Sequence, residues 1–106
     1  MIAKVIKYIL EAQLIAICMI GSYSFAQEKA FNEKNGESLY AKNCSTCHGS
    51  GMKNPQWGFN LELFPVDQKM RFMDSVIYGK NAMPPWEDVL SNEEVSNIWS
   101  YFLSLR

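Results

Sequence analysis

The chain has 106 residues, a formal net charge of −1 and a hydrophobic content of 48%. This length allows one small domain at most. The near-neutral charge and the lack of a basic run argue against a nucleic-acid partner, so function must be inferred from particular motifs.

Residues 1–26 have the pattern of a secretory signal peptide. Lys4 and Lys7 give a positive start, an apolar run follows over residues 14–20, and Ser24-Phe25-Ala26 presents small residues to a signal peptidase. We therefore expect cleavage after this segment and a periplasmic protein. The apolar run is shorter than the about 20 residues of a membrane-spanning helix, so no span is expected in the mature chain; an uncleaved N-terminal anchor is the alternative.

Residues 27–106 would then form one mature domain. Its formal charge would be −2, because the removed segment carries two lysines and Glu11. A domain of this size is close to the lower limit for a stable hydrophobic core. Residues 27–34 are polar and predict an irregular lead-in, and the first helix is expected to begin near Asn35 or Gly36 and to run through Asn43.

The sequence Cys44-Ser45-Thr46-Cys47-His48 follows this predicted helix. Two cysteines separated by two residues and followed by histidine are typical of a c-type haem attachment site. Each thiol can add to one haem vinyl group, and a short Cys-x-x-Cys loop can reach both vinyls. His48 would then lie beneath the iron and act as the proximal ligand.

Three other uses of the same cysteines are weaker. A disulfide needs no adjoining histidine, and a thioredoxin-like redox pair needs a βαβ context that the pattern does not predict. A zinc site needs a fourth ligand, but the third cysteine, Cys18, lies in the segment expected to be removed, and His48 is the only histidine. The haem interpretation is therefore favoured.

Glycines and the pair Asn54-Pro55 predict a loop after the motif. A metal-ligating histidine usually donates its second ring N–H to a carbonyl, which fixes the ring. The carbonyl of Pro55 is well placed in sequence to accept this bond, although an ordinary turn proline is the alternative. The following residues, 56–64, are rich in apolar side chains and predict an irregular segment that lines the haem; the alternation over residues 61–63 could instead indicate a strand.

A second helix is predicted after this segment. Pro65 suits the first turn of a helix, and Gly79 suits its end. Four apolar residues fall on one helical face: Val66, Met70, Met73 and Ile77. Met70 and Met73 are therefore expected to be core side chains.

The next stretch, Gly79 to Trp86, contains Met83 directly before two prolines. The prolines stiffen the backbone and could hold the methionine side chain at a fixed distance from an iron atom. A thioether ligand raises the reduction potential relative to two histidines. Met83 is the predicted distal ligand, because two rivals are expected in the core and Met52 is too close to His48 in the chain.

A C-terminal helix is predicted from Ser91, where Ser91 and Glu94 form a capping box. Its buried face would contain five residues: Val95, Ile98, Trp99, Phe102 and Leu103. The helix is expected to end near Arg106.

Together these features resemble a class I cytochrome c of the small bacterial type. The resemblance rests on Cys44-x-x-Cys47-His48-Gly49, Pro55, Gly79-x-x-x-Met83-Pro84-Pro85 and the capped terminal helix, and it covers nearly all of residues 27–106. It implies an all-α fold with about three main helices around one covalently bound haem c per chain. Cys44 and Cys47 would be the thioether anchors, His48 and Met83 the axial ligands, and the Pro55 carbonyl would hold the histidine.

The resemblance also implies that the first and last helices cross, with Gly36 and Tyr40 of one helix meeting Tyr101 of the other. A narrower resemblance over residues 72–101 is to cytochromes that accept electrons from periplasmic quinoprotein alcohol dehydrogenases.

The expected function is periplasmic one-electron transfer, not enzyme catalysis. The implied partners are redox proteins, with a periplasmic dehydrogenase as donor and a terminal oxidase or reductase as acceptor. Two alternatives remain open. A peroxidase or gas sensor would have an open sixth iron site, which requires that Met83 is not a ligand. A dedicated cytochrome subunit of a dehydrogenase or oxidase complex would itself stay soluble only when bound to its partner.

Overall fold

The computed structural model describes the backbone of residues 1–106 and the side chains of residues 1–17 and 21–106. The chain divides into two compact units, Met1–Ala30 and Phe31–Arg106. The described α-helices are α1 (Ile2–Asn43), α2 (Ser45–His48), α3 (Lys69–Tyr78) and α4 (Asn92–Ser104), and two 3-10 turns cover Ser50–Met52 and Leu61–Leu63. Extended pairing among these residues is limited to an isolated bridge between Lys80 and Met83. The predicted all-α class is confirmed.

The first unit consists of the N-terminal part of α1. This helix is long and apolar enough to cross a membrane, and a signal sequence near the N-terminus can have the same length and hydropathy. The side chain of Cys18 lies outside the described residues. The predicted irregular lead-in over residues 27–34 is wrong, because α1 runs through it. Its polar residues are mainly glutamate and lysine, which are good helix formers, and no glycine or proline interrupts them.

In the second unit, the C-terminal part of α1 packs closely against α4. A Cβ atom on Gly36 would lie 1.9 Å from the carbonyl oxygen of Asn97. Only glycine permits this approach of two backbones. The ring of Tyr40 lies 5.7 Å from the ring of Tyr101. The predicted crossing of the first and last helices at these residues is therefore confirmed.

Helix α3 begins at Lys69, later than predicted, and ends before Gly79 as expected. Pro65 starts a turn instead, in which its carbonyl accepts the N–H of Gln68. The buried side chains of this helix are Phe72 and Val76. Met73 and Ile77 pack against the core as predicted, whereas Val66 and Met70 are exposed. The prediction that Met70 is a core side chain is wrong.

Helix α4 begins with the predicted capping box. The Ser91 hydroxyl accepts the Glu94 N–H at 3.1 Å, and the Glu94 carboxylate accepts the Ser91 N–H at 3.0 Å. Four of the five predicted core residues are buried, but Leu103 is 41% exposed. Tyr101 is buried in its place, because the contact with Tyr40 turns that side of the helix inward.

The core of the second unit is aromatic at its centre. The rings of Trp99 and Phe102 stack at 4.8 Å, and Phe72 lies 5.1 Å from Trp99. Phe64 reaches this cluster edge-on from the segment before α3. That segment is a 3-10 turn at residues 61–63 and not a strand. The cluster therefore ties α3, α4 and the turn into one body, which positions the segment next to the cysteine motif.

Candidate haem site

The cysteine motif forms a single helical turn at the end of α1. The N–H of Cys44 donates to the Tyr40 carbonyl at 2.8 Å, and the N–H groups of Cys47 and His48 donate to the Cys44 carbonyl. The cysteines are three residues apart on a helical turn and so share one face. Both are free thiols: Cys44 is half-buried and Cys47 is exposed. Burial, with a smaller contribution from Cys47, raises the pKa of the Cys44 thiol to about 11.

The ring of His48 is held by a backbone carbonyl. Its Nδ1 atom lies 2.9 Å from the carbonyl oxygen of Phe59. A carbonyl oxygen can only accept, so this bond requires the ring proton on Nδ1. In the neutral imidazole the lone pair of Nε2 is then free to bind a metal ion. The expected arrangement of a ligating histidine is present, one residue after the second thiol.

The acceptor is Phe59 and not the predicted Pro55. The carbonyl of Cys47 accepts three successive N–H groups, from Gln56 at 3.1 Å, Trp57 at 3.3 Å and Gly58 at 3.0 Å. This contact turns the chain back toward the motif after the proline, so a later carbonyl lies beside the histidine. Pro55 therefore belongs to the loop that leads into this turn.

Gly58 makes the close contact with the histidine possible. A Cβ atom at this position would lie 2.6 Å from Nδ1 and 2.7 Å from Cε1 of His48. Such distances are shorter than van der Waals contact, so a larger residue would displace the ring. No sequence motif marks Gly58, and its position one residue before the accepting carbonyl explains its role.

A second contact holds the residue after the histidine. The buried hydroxyl of Tyr40 donates to the carbonyl of Gly49 at 2.6 Å. The same carbonyl accepts the N–H of Met52 at 3.2 Å. Burial raises the pKa of the Tyr40 hydroxyl above its usual range, and the neighbouring Cys44 adds to the effect. The motif is thus fixed to α1 through a side chain as well as through the backbone.

Met83 lies in a loop that folds back onto the end of α3. Lys80 and Met83 exchange both backbone hydrogen bonds, at 3.1 and 2.9 Å. The N–H of Trp86 donates to the Val76 carbonyl at 3.0 Å, and the N–H of Glu87 donates to the Ile77 carbonyl at 3.2 Å. These bonds satisfy carbonyls at the helix end that have no partner within the helix. The side chain of Met83 is partly buried and packs against the core.

The other predicted rivals for the iron differ from Met83 in their surroundings. Met52 is buried in the core, and Met73 packs against the core from α3. Met70 is 71% exposed on the outside of the same helix. Of these methionines, Met83 alone lies in the loop that follows α3.

The donor set fits a covalently attached haem. The chain presents two free thiols on one face, an imidazole with a free Nε2 and a partly buried thioether. Trp57, Phe59 and Leu63 leave large apolar surfaces exposed in the segment that holds His48, with Trp57 at 85%. A flat apolar cofactor would cover such surfaces. Within the described residues, histidine, cysteine and acidic side chains form no group of three or more that could hold a bare metal ion.

Comparison with known proteins identifies the family. Residues 31–102 match the family described as cytochrome c oxidase, cbb3-type, subunit III. The chain is 30% identical to a cytochrome c6 of Porphyra purpurea over 95 residues, which cover 84% of each chain. It is 27% identical to a cytochrome c6 of Thermostichus vulcanus over 103 residues, which cover 89% of this chain and 92% of the relative. No solved structure matches it significantly.

The match spans most of the chain and contains the whole cysteine motif, the Met83 loop and nearly all of α4. Members of the family carry covalently bound haem c and exchange electrons with redox partner proteins. The prediction of an electron-transfer protein, and not an enzyme, is confirmed by membership of this family. The chain belongs to the c-type cytochromes, as a small class I protein with a single haem attachment motif.

Proposed function

We propose that the chain is an exported one-electron carrier in which Cys44 and Cys47 bind haem c and His48 and Met83 are its axial ligands. The observation that carries the proposal is the bond between His48 Nδ1 and the Phe59 carbonyl, which leaves Nε2 free beside the two thiols. Bound haem supplies an iron that alternates between Fe(III) and Fe(II). With both axial positions filled by the chain, no substrate reaches the metal.

The support for Met83 is the way its loop is held. A thioether has no proton to donate, so its position depends on the backbone that carries it. The paired bonds with Lys80 and the two following prolines restrict that backbone. Partial burial against the core limits the rotamers of the side chain further.

The visible spectrum of the haem-loaded protein tests this ligand pair. The oxidised protein should show the weak far-red band of methionine bound to Fe(III), and Met83→Ala should abolish it. Met70→Ala removes an exposed methionine from α3 and should leave the band unchanged. If the wild type lacks the band and binds carbon monoxide readily, the carrier proposal is wrong and a sensor or peroxidase with an open sixth site replaces it.

The second part of the proposal concerns location. Residues 1–26 would act as a signal peptide, and residues 27–106 would form the periplasmic cytochrome domain. The apolar helix near the N-terminus is compatible with a signal sequence. Mass spectrometry of the protein from a periplasmic extract should give a chain that begins at Gln27 with one haem. An intact chain recovered in the membrane fraction would instead establish a retained anchor.

The proposed partners are a periplasmic dehydrogenase as donor, with a quinoprotein alcohol dehydrogenase as one candidate, and a terminal oxidase or reductase as acceptor. A dedicated oxidase subunit is a second candidate function, favoured by the description of the matching family. The two differ in solution behaviour. A carrier should purify as a free soluble protein that a membrane oxidase oxidises at a rate proportional to its concentration. A subunit should purify with the oxidase in fixed proportion.

A further inference from the structure

Arg106 joins the end of α4 to the segment before α3. Its guanidinium donates to the carbonyls of Leu61 and Glu62, and to the carbonyl of Phe64 at 3.3 Å. The same group lies 4.4 Å above the ring of Phe102. The backbone of Arg106 is itself fixed, because its N–H donates to the Leu103 carbonyl at 3.2 Å. One side chain therefore connects residues more than 40 positions apart.

The three accepting carbonyls belong to a short turn and to the residue that follows it. Residues Leu61–Leu63 form a 3-10 turn, in which the Leu61 carbonyl also accepts the Phe64 N–H at 3.1 Å, while the carbonyls of Glu62 and Phe64 follow this last bond of the turn. A guanidinium offers five N–H donors in a rigid planar fork and is charged at every accessible pH. It can satisfy several of these carbonyls at once, which an ammonium group does less well. Arg106 thus acts as a cap that comes from a distant part of the chain.

This turn is directly continuous with the peptide that holds His48. Asn60 caps the turn, since its side-chain oxygen accepts the Glu62 N–H at 3.1 Å and its carbonyl accepts the Leu63 N–H at 3.0 Å. The Phe59 carbonyl and the Asn60 nitrogen share one planar peptide group. The direction of the carbonyl that accepts from His48 is therefore set by the turn that Arg106 caps.

We propose that Arg106 is a positioning residue for His48. It holds the 61–64 turn, and the turn directs the Phe59 carbonyl at Nδ1. The inference rests on the proposed role of His48 as an iron ligand. A hydrogen bond donated by Nδ1–H makes the imidazole a stronger electron donor and so favours Fe(III). Loss of the cap should loosen the bond and raise the reduction potential.

Two measurements on the haem-loaded protein separate this role from simple stabilisation. The first is the solvent-exchange rate of the His48 Nδ1 proton, measured by NMR on the reduced protein. The second is the reduction potential. Arg106→Gln should speed the exchange severalfold and give a higher potential than a variant that removes the same charge without loosening the turn. Arg106→Lys should give an intermediate exchange rate, because a compact ammonium on a flexible stem replaces the rigid planar fork.

Arg71→Gln is the matched control. The Arg71 guanidinium lies 4.7 Å over the Phe64 ring and so reaches the same segment through an aromatic side chain. Both glutamine variants remove one positive charge, which by itself lowers the potential. Arg71→Gln should therefore leave the exchange rate as in wild type, and its potential should lie below that of Arg106→Gln.

The inference is overturned if Arg106→Gln leaves proton exchange unchanged, or if both glutamine variants change it equally. Should Arg106→Gln fail to load haem, the lysine variant decides: a wild-type exchange rate contradicts the inference, and faster exchange supports it. The far-red band of the wild type reports separately on the ligand pair. An Arg106 variant that keeps this band and the wild-type exchange rate rejects the inference while the proposed function stands.

Discussion

The two sides of the candidate haem site are held in different ways. On the His48 side, the side chain of the proposed ligand is itself hydrogen-bonded, from Nδ1 to the Phe59 carbonyl. On the Met83 side, the hydrogen bonds that the structure shows are made by the backbone of the loop and not by the sulfur. The His48 ring is therefore oriented directly by a hydrogen bond, and the Met83 side chain is oriented only through the backbone of its loop.

The difference follows from the chemistry of the two proposed ligands. An imidazole has a second ring nitrogen, so one atom can bind a metal while the other is anchored. A thioether has a single weak acceptor and no donor. A chain that uses methionine must therefore fix the backbone on both sides of it, which the Lys80 pair and the bonds to the end of α3 do.

The largest effect is expected on the Met83 side, from Gly79→Ala. Gly79 has a φ of +79°, and a Cβ there would lie 2.7 Å from the Met83 carbonyl oxygen and 2.9 Å from the Pro85 nitrogen. With its ψ of 163°, this residue lies in a backbone region that is essentially confined to glycine. An alanine would bear both this backbone cost and the clash, together about 3 kcal/mol. Chemical denaturation of the haem protein should show a loss of about 3 kcal/mol, together with a weaker far-red band.

Gly51→Ala is the comparison variant, at a glycine in the left-handed region with a ψ of 25°. Gly51 has a φ of +62°, but a Cβ there would meet no atom within 4 Å. This variant should show the conformational cost of about 1 kcal/mol and a normal band. Equal losses in the two variants would mean that neither the glycine-only backbone of Gly79 nor its contact with the Met83 loop matters, and the account of that side would have to be abandoned.

Local patterns in the sequence predicted much of this arrangement. The motif at residues 44–48, the capping box at Ser91 and the end of α3 at Gly79 each depend on a few neighbouring residues, and all lie where they were expected. The packing of Gly36 against α4 also followed from the family pattern. Such features can be predicted because the interaction and its sequence signal span the same few residues.

Features set by distant contacts could not be predicted in this way. The Phe59 carbonyl replaces that of Pro55 because three N–H groups converge on the Cys47 carbonyl, and no residue type marks that convergence. Helix α3 begins only at Lys69, after a turn in which the Pro65 carbonyl accepts the Gln68 N–H, and a proline suits such a turn as well as the first turn of a helix. The contacts of Arg106 join residues at the two ends of the second half of the chain, where a sequence pattern shows only a C-terminal basic residue.

A smaller effect, confined to the His48 side, is expected from Gly58→Ala. The new Cβ would lie 2.6 Å from Nδ1 of His48, so the ring must move away from the Phe59 carbonyl. We expect a loss of about 2 kcal/mol in unfolding free energy. Faster exchange of the Nδ1 proton and a raised reduction potential should accompany it, because the weakened bond leaves the imidazole a poorer donor.

The comparison predicts opposite signatures for the two alanine variants. Gly79→Ala should weaken the far-red band and leave Nδ1 proton exchange near the wild-type rate. Gly58→Ala should speed the exchange and keep the band. If each variant changes both signals, the two sides are coupled through the haem, and the description of two independent supports is wrong.

The smallest effect is expected from Tyr40→Phe, which removes the 2.6 Å bond to the Gly49 carbonyl next to His48. That carbonyl keeps the N–H of Met52, so it is not left without a partner, and the loss of unfolding free energy should be about 1 kcal/mol at neutral pH.

The Tyr40→Phe variant should also change how the unfolding free energy depends on pH in alkaline solution. Burial raises the pKa of Tyr40 in the folded state, so the folded protein binds this proton more tightly than the unfolded chain. The contribution of Tyr40 to the unfolding free energy is therefore fully present below the unfolded pKa of about 10 and is lost as the pH rises above it.

Unfolding free energies measured from neutral pH to above pH 10 should accordingly fall less steeply in Tyr40→Phe than in wild type. Some slope should remain, because burial and the nearby Glu37 also raise the pKa of Tyr101. Tyr78→Phe is the control, since Tyr78 is exposed at the end of α3 and its replacement should leave the wild-type slope. A Tyr40→Phe protein with the wild-type slope would show that this hydroxyl does not carry the alkaline sensitivity, and one with the wild-type stability at neutral pH would show that its bond to Gly49 does not help to anchor the His48 side.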